Sequence, residues 1–127
     1  MLHMKRISTG SPFEQTMGYS RAIVKNGWCF VSGVTGYDYA TMEIPESAES
    51  QADNCFKTIA SVLTEAGFEM SDIVRVQYTV TDAALVDNLV PVLGKWLGDI
   101  RPAATMIIAG LIKPEMLVEI EVTAFKG

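Results

Sequence analysis

Residues 117–125 alternate without interruption between apolar and mixed positions, the pattern of a strand buried on one face. Val118, Ile120, Val122 and Ala124 point one way; Leu117, Glu119, Glu121, Thr123 and Phe125 point the other. Two carboxylates therefore share a strand face with a leucine and a phenylalanine, and the fold must supply something for that face to meet. Upstream, residues 101–112 read as another strand, joined to this one by a short turn at Lys113 and Pro114.

The rest of the chain supplies the partners. Residues 5–9 form a short strand, broken at Ser11 and Pro12. Residues 19–25 and 28–32 are strands around Asn26-Gly27, a pair that tolerates positive φ and favours a tight hairpin. Residues 33–46 are a loop. A helix over 47–66 follows from Ala52, Cys55, Phe56, Ile59, Ala60, Val62 and Leu63 at helical spacing, with Gly67 as C-cap. Residues 72–81 form a strand with Val74, Val76, Tyr78 and Val80 as its apolar face. A second helix spans 82–97; a turn at 82–87 and a fresh start near Asn88 would place Pro91 in the tolerant first turn.

The element order is β-β-β-α-β-α-β-β, an α+β domain with a mixed six-stranded sheet and two helices on one face. Arg75, Gln77, Glu119 and Glu121 lie on the other face among Ile73, Leu117 and Phe125. That mixture reads either as a face buried between subunits or as an ordinary exposed antiparallel face. The 127 residues suffice for one domain, 1–127, with a single core. No apolar run is long enough to span a membrane, and no apolar stretch follows the basic N-terminus, so a cytoplasmic location is expected. Cys29 and Cys55 read as reduced, buried small hydrophobes. A net charge of −5 argues against nucleic acid as a partner.

The inventory of reactive groups is short. The sole histidine, His3, lies in an N-terminal stretch read as mobile, which disfavours Ser-His-Asp and Cys-His sites. Ligands for a His/Cys metal site are lacking, and Gly33-Val34-Thr35-Gly36 matches no phosphate-binding or dinucleotide pattern. Carboxylates, hydroxyls, arginines and backbone amides remain. Glu119 and Glu121 are either solvated carboxylates paired with Arg75 or a partly buried acid that activates water. Ser32-Gly33 either ends a strand or offers a hydroxyl and backbone N–H groups to an anion. Tyr19 either contacts a ligand or caps an apolar edge.

Five segments together resemble the Rid family of reactive-intermediate deaminases, also called YjgF or, in older usage, endoribonuclease L-PSP. They are Met17-Gly-Tyr-Ser-Arg-Ala22, Cys29-Phe-Val-Ser-Gly33, Ala66-Gly-Phe-Glu-Met-Ser-Asp-Ile-Val74, Arg101-Pro-Ala-Ala-Thr105 and Val118-Glu-Ile-Glu-Val-Thr-Ala124. The resemblance covers nearly the whole chain. It implies a chorismate-mutase-like fold, a homotrimer and small-molecule clefts between subunits. It also implies a cofactor-free reaction, hydrolysis of enamines and imines such as 2-iminobutanoate and 2-aminoacrylate to 2-keto acids and ammonia. A non-catalytic, metabolite-sensing member of the same fold is the alternative.

By that resemblance Glu119 is the catalytic carboxylate, and Tyr19, Ser32, Gly33 and Thr105 contribute to substrate binding. The family's substrate-gripping arginine is replaced by Ala104 in Pro102-Ala103-Ala104-Thr105. Where the family often has Tyr-Ser-Gln, this chain has Tyr19-Ser20-Arg21. Arg21 and Arg101 are thus candidates to replace the missing cation. Strand parity puts Arg21 on the face of Tyr19.

Overall fold

The computed structural model describes residues 4–127, so His3 lies outside the described residues. Besides two short 3-10 turns, Met70–Asp72 and Ala83–Leu85, nine helices and strands follow in order: β1 (Met4–Ile7), α1 (Pro12–Met17), β2 (Ala22–Lys25), β3 (Trp28–Thr35), α2 (Ala48–Ala66), β4 (Ile73–Val80), α3 (Val86–Leu97), β5 (Ala103–Ile108) and β6 (Val118–Phe125). The strands form one mixed sheet in the order β1-β2-β3-β6-β4-β5, with only β4 and β5 parallel. No helix among the described residues is long and apolar enough to cross a membrane.

Local signals account for the best-placed elements. Asn26 and Gly27 both take positive φ, 52° and 84°, as a two-residue hairpin between β2 and β3 requires. Ser47 caps α2 by accepting the N–H of Ser50, and Gly67 closes it in the left-handed conformation. One face of α2 buries Ala52, Cys55, Phe56, Ile59 and Leu63 against Val34 of β3, Val76 and Val80 of β4, and Val118 and Ile120 of β6. Cys55 donates its thiol to the Val34 carbonyl, and burial pushes the Cys29 thiol up to about 11, so both behave as apolar core groups.

Several expectations need correction. Residues 11–18 are more than a break: Ser11 accepts the Phe13 N–H, Pro12 opens α1, and Gly18 closes it with φ 75°. β2 begins at Ala22, so Tyr19 and Arg21 precede the strand, and β3 runs on to Thr35. In β4 the register with β6 slips between Ile73 and Arg75, which buries Ile73 and exposes Val74, the reverse of simple alternation. The 82–87 turn exists, but α3 starts at Val86, and Pro91 sits beyond its first turn, where it leaves the Asp87 carbonyl without its usual i+4 donor.

The largest correction concerns the last two strands. The chain does turn after Lys113, whose carbonyl accepts the Met116 N–H, yet β5 and β6 do not pair. β5 is an edge strand beside β4, reached through α3 as parallel pairing demands, and β6 inserts between β3 and β4. The intervening 109–117 segment must therefore cross the end of β4. Gln51, 1% exposed, secures it: its amide donates to the carbonyls of Pro45 and Glu115 and accepts the Leu117 N–H.

The alternation of β6 is as expected, with Val118, Ile120, Val122 and Ala124 buried under the helices. On the opposite face, strand pairing lines up side chains in rows: Glu119 beside Thr79 and Ile107, and Glu121 beside Gln77 and Thr105. Trp28, Phe30 and Phe125 form an exposed aromatic cluster at one end of this face, with Trp28 4.5 Å from Phe125 between ring centres.

Candidate active site

The site grows from an irregularity in β3. Pairing with β6 slips between Val31 and Val34, so Ser32 and Gly33 lack one-to-one partners and the strand bends there. Ser32 is tied back to the residues before β2: its hydroxyl donates to the Ser20 carbonyl (2.7 Å) and its N–H to the Arg21 carbonyl (2.9 Å). Gly33 faces Glu119 so closely that a Cβ at 33 would lie 2.6 Å from the carboxyl carbon. The absent side chain is thus the space the Glu119 carboxylate occupies.

A cleft of about 500 Å³ opens over this point. Its floor is Ser32, Gly33 and Glu119, continued along the sheet by Gln77, Thr79 and Glu121. Met17 and Tyr19 form one wall, and Gly110, Leu111 and Ile112 of the crossing segment form the other. The opening is therefore lined by apolar groups and the floor by polar ones, the usual construction of a small-molecule site.

Glu119 is the group whose ionisation is perturbed in this cleft. Burial raises its pKa above the ordinary carboxyl value, the neighbouring Glu121 charge raises it further, and Arg21 pulls it partly back. Among the described residues it accepts no hydrogen bond, which leaves both oxygens for a water or a ligand. A half-buried, unpartnered carboxylate with a raised pKa is a stronger base than an ordinary carboxylate and is suited to general-base work.

Arg21 lies beneath the cleft and is 0% exposed. Its Nη1 donates to the Gly33 carbonyl at 2.7 Å and its Nη2 to the Tyr19 hydroxyl at 3.3 Å. The guanidinium stacks over the Tyr39 ring at 4.9 Å, and Nε, which has no hydrogen-bond partner, lies 3.9 Å from the Glu14 carboxylate. Burial pushes the Glu14 pKa up, but hydrogen bonds from Thr9 and Ser8 and the Arg21 charge outweigh it and hold the group below its ordinary value. This is a buried, paired cation, not a free ligand clamp.

Of the residues singled out from sequence, Tyr19, Ser32, Gly33 and Glu119 converge in the cleft. Arg21 supports it from below and does not line it, which corrects the expectation of direct ligand contact. Ala104 and Thr105 stand apart. Ala104 lies in a shallow groove with Val90, Leu97, Gly98 and Arg101 of the α3 side, so Arg101 does not reach this cleft either. Thr105 sits two strands from Glu121 in its row. The donor role foreseen for Ser32 also changes, because both its O–H and N–H are already used within the chain. Gln77 and Thr79 were not foreseen as site residues. Their parity with Glu121 and Glu119 could have found them, had the β4–β6 pairing been known.

A second depression, of about 510 Å³, lies between α2 and the 37–39 loop, lined by Ser8, Asn54, Lys57 and Ser61 with Tyr37 and Tyr39. Its shifted groups are the two tyrosines, Tyr37 pushed up to about 12 by burial and by Glu115. Their hydroxyls are already bonded to Glu115 and Thr35, so the chemistry points to the Glu119 cleft instead. Among the described residues no three His, Cys, Asp or Glu side chains are placed to hold a metal ion.

The endoribonuclease L-PSP family model matches residues 9–126. The chain belongs to this family. A RutC family protein of Aquifex aeolicus is 29% identical over 125 residues, 97% of this chain and 100% of the relative. The crystal structure of Rv2704 from Mycobacterium tuberculosis, a member of the YjgF/YER057c/UK114 family, is 32% identical and superposes with a TM-score of 0.89, covering 98% of this chain and 100% of that one. RidA from an Antarctic Psychrobacter is 25% identical with a TM-score of 0.81 over 96% and 94% of the two chains. Both the Rid-family resemblance and the α+β, mixed-sheet architecture read from the sequence are thereby borne out.

Proposed function

We propose that this endoribonuclease L-PSP family member hydrolyses an imine or enamine to a carbonyl compound and ammonia, without a cofactor, in a cleft completed by neighbouring copies in a homotrimer. The observation that carries the reading is Glu119, a half-buried carboxyl with raised pKa and free oxygens, set against Gly33 in the floor of a 500 Å³ cleft. Glu119 holds a water beside the C=N carbon. As the O–C bond forms, Glu119 takes the water proton and the C=N π pair moves to nitrogen. Glu119 returns that proton to nitrogen and then relays the proton of the new hydroxyl to nitrogen as well; the freed oxygen pair closes the C=O bond as the C–N bond breaks, its electron pair leaving on nitrogen as ammonia. Tyr19, whose oxygen accepts from Arg21, keeps its own proton to donate to the ligand.

The exposed Phe30, Trp28 and Phe125 support the homotrimer, since apolar groups on an otherwise polar sheet face favour a covered surface. RNA cleavage, which the family name suggests, fits less well: two carboxylates in the cleft and a net charge of −5 repel a phosphate backbone. Ala104, in the place of the family's arginine, favours a second reading in which the cleft binds a metabolite without turnover. Ammonia release from imines generated in situ separates the two. Acceleration that vanishes in Glu119→Gln supports hydrolysis. Wild-type rates equal to buffer across carboxylated and uncarboxylated imines would leave only the binder.

A further inference from the structure

The hydrogen-bonding polarity of the cleft has a bearing on the ligand. When ionised, Glu119 and Glu121 can only accept hydrogen bonds, while Tyr19, Gln77 and Thr79 add neutral groups that can also donate. Ser32 has spent its hydroxyl proton on the Ser20 carbonyl, so its oxygen faces a ligand as an acceptor. Among the described residues no Lys, Arg or His lines the cleft. The nearest cation beneath it, Arg21, is fully buried and committed to the Gly33 carbonyl and Tyr19. Arg75 stands on β4 beyond the lining, with Nη2 3.5 Å from the Gln77 oxygen. Within the chain, burial and then the Glu121 charge raise the Glu119 pKa, and Arg21 pulls it partly back.

From these contacts we infer that the ligand is a cationic imine that carries no carboxylate, a protonated aldimine or ketimine of a simple amine in place of a 2-imino acid. The inference rests on the proposed reading in two ways: turnover needs the hydrolytic function, and the binding preference holds where the neighbouring copies that complete the cleft add no cation to it. A C=NH2+ group offers two donors and a positive charge to the Ser32 oxygen and the two carboxylates. A ligand carboxylate would meet two like charges and an acceptor oxygen, with only the neutral donors Tyr19, Gln77 and Thr79 set against them. Met17, Leu111 and Ile112 around the opening then take the alkyl part. The reaction balances as an iminium plus water giving an aldehyde or ketone plus ammonium, with Glu119 carrying the two water protons to nitrogen in turn. Such iminium ions are supplied by two-electron oxidation of primary amines, so an amine-oxidising reaction is the class that would precede this one.

The test uses the full chain, isotopically labelled, with two stable probes. Propanamidinium is planar and cationic at a C=N carbon, and 2-oxobutanoate carries the carboxylate. Amide shifts at Ser32, Gly33, Glu119 and Glu121 report cleft occupancy. The expected result is at least tenfold tighter binding of propanamidinium, falling at least fivefold in Glu121→Gln while that variant gains affinity for 2-oxobutanoate. Equal or tighter binding of 2-oxobutanoate overturns the inference. So does propanamidinium that leaves these amides unmoved, or whose affinity ignores Glu121→Gln. If the preference holds and neither the propylamine-derived imine nor 2-iminobutanoate is hydrolysed faster than in buffer, the ligand class survives and the hydrolytic function falls.

Discussion

Gly33 and Glu119 occupy one another's space: the carboxyl carbon of Glu119 stands 2.6 Å from where a Cβ of residue 33 would be. The β3 bulge creates this contact, and Arg21 holds it by gripping the Gly33 carbonyl. The site is therefore built by backbone placement first and by side chains second.

Gly33→Ala should displace the Glu119 carboxylate and abolish any turnover. Overpacking at such a contact costs about 1–3 kcal/mol, so the variant should still fold. A thermal melt and an ammonia-release assay on the same sample check both halves; unchanged activity would show that Glu119 does not act from this position.

Arg21→Ala should destabilise the chain by about 3–5 kcal/mol, because it strips the partner from the buried Glu14 carboxylate and the Gly33 carbonyl. Arg21→Lys should recover less than half of that, since an ammonium lacks the fork that reaches Gly33 and Tyr19 together. Urea denaturation at constant slope measures the difference.

Glu119→Gln should raise stability by about 1 kcal/mol near neutral pH while removing activity, as expected where a functional group is held at a cost to the fold. The sign follows from its raised pKa. Protonated Glu119 is favoured in the folded state, so its stabilising contribution is present below the unfolded value of about 4.5 and is lost as pH rises through the folded value. The advantage of the glutamine variant should accordingly be largest at pH 7–8 and shrink toward pH 4. Melting curves of both proteins across that range decide it; an advantage that grows on acidification would contradict the assigned burial.

Ala104→Arg should confer or raise hydrolysis of 2-iminobutanoate at least tenfold, by supplying a bidentate carboxylate grip worth about 1.5–3 kcal/mol. Glu119→Ala in that background should remove the gain. Ala104 lies outside the cleft of its own chain, so the effect requires a neighbouring copy to present it. A semicarbazide-trap assay on the trimeric fraction reads the result.

Sedimentation equilibrium should give three times the 13.9 kDa chain mass. Phe30→Glu, which sets a charge in the exposed aromatic cluster, should weaken assembly at least tenfold. A monomer at all micromolar concentrations would remove the shared-cleft reading.

The chain's local instructions were legible without a structure. Alternation placed the faces of β6, Asn26-Gly27 placed the first hairpin, and Ser47 and Gly67 bracket α2 almost as expected. These features depend on backbone sterics and on neighbours close in sequence, which the residue order states directly. The grouping of Tyr19, Ser32, Gly33 and Glu119 came through resemblance, not from local pattern. What the tertiary structure alone decided is non-local. β6 leaves β5 and inserts between β3 and β4, which carries residues 110–112 over Glu119. The bulge at Ile73–Arg75 exchanges the faces of Ile73 and Val74. Arg21 is buried as a strut because the Gly33 carbonyl, Glu14 and Tyr39 reach it from three separate segments. Strand order, bulges and the pairing of buried charges are settled by satisfying every polar group of the sheet at once, and no short window of sequence encodes that sum.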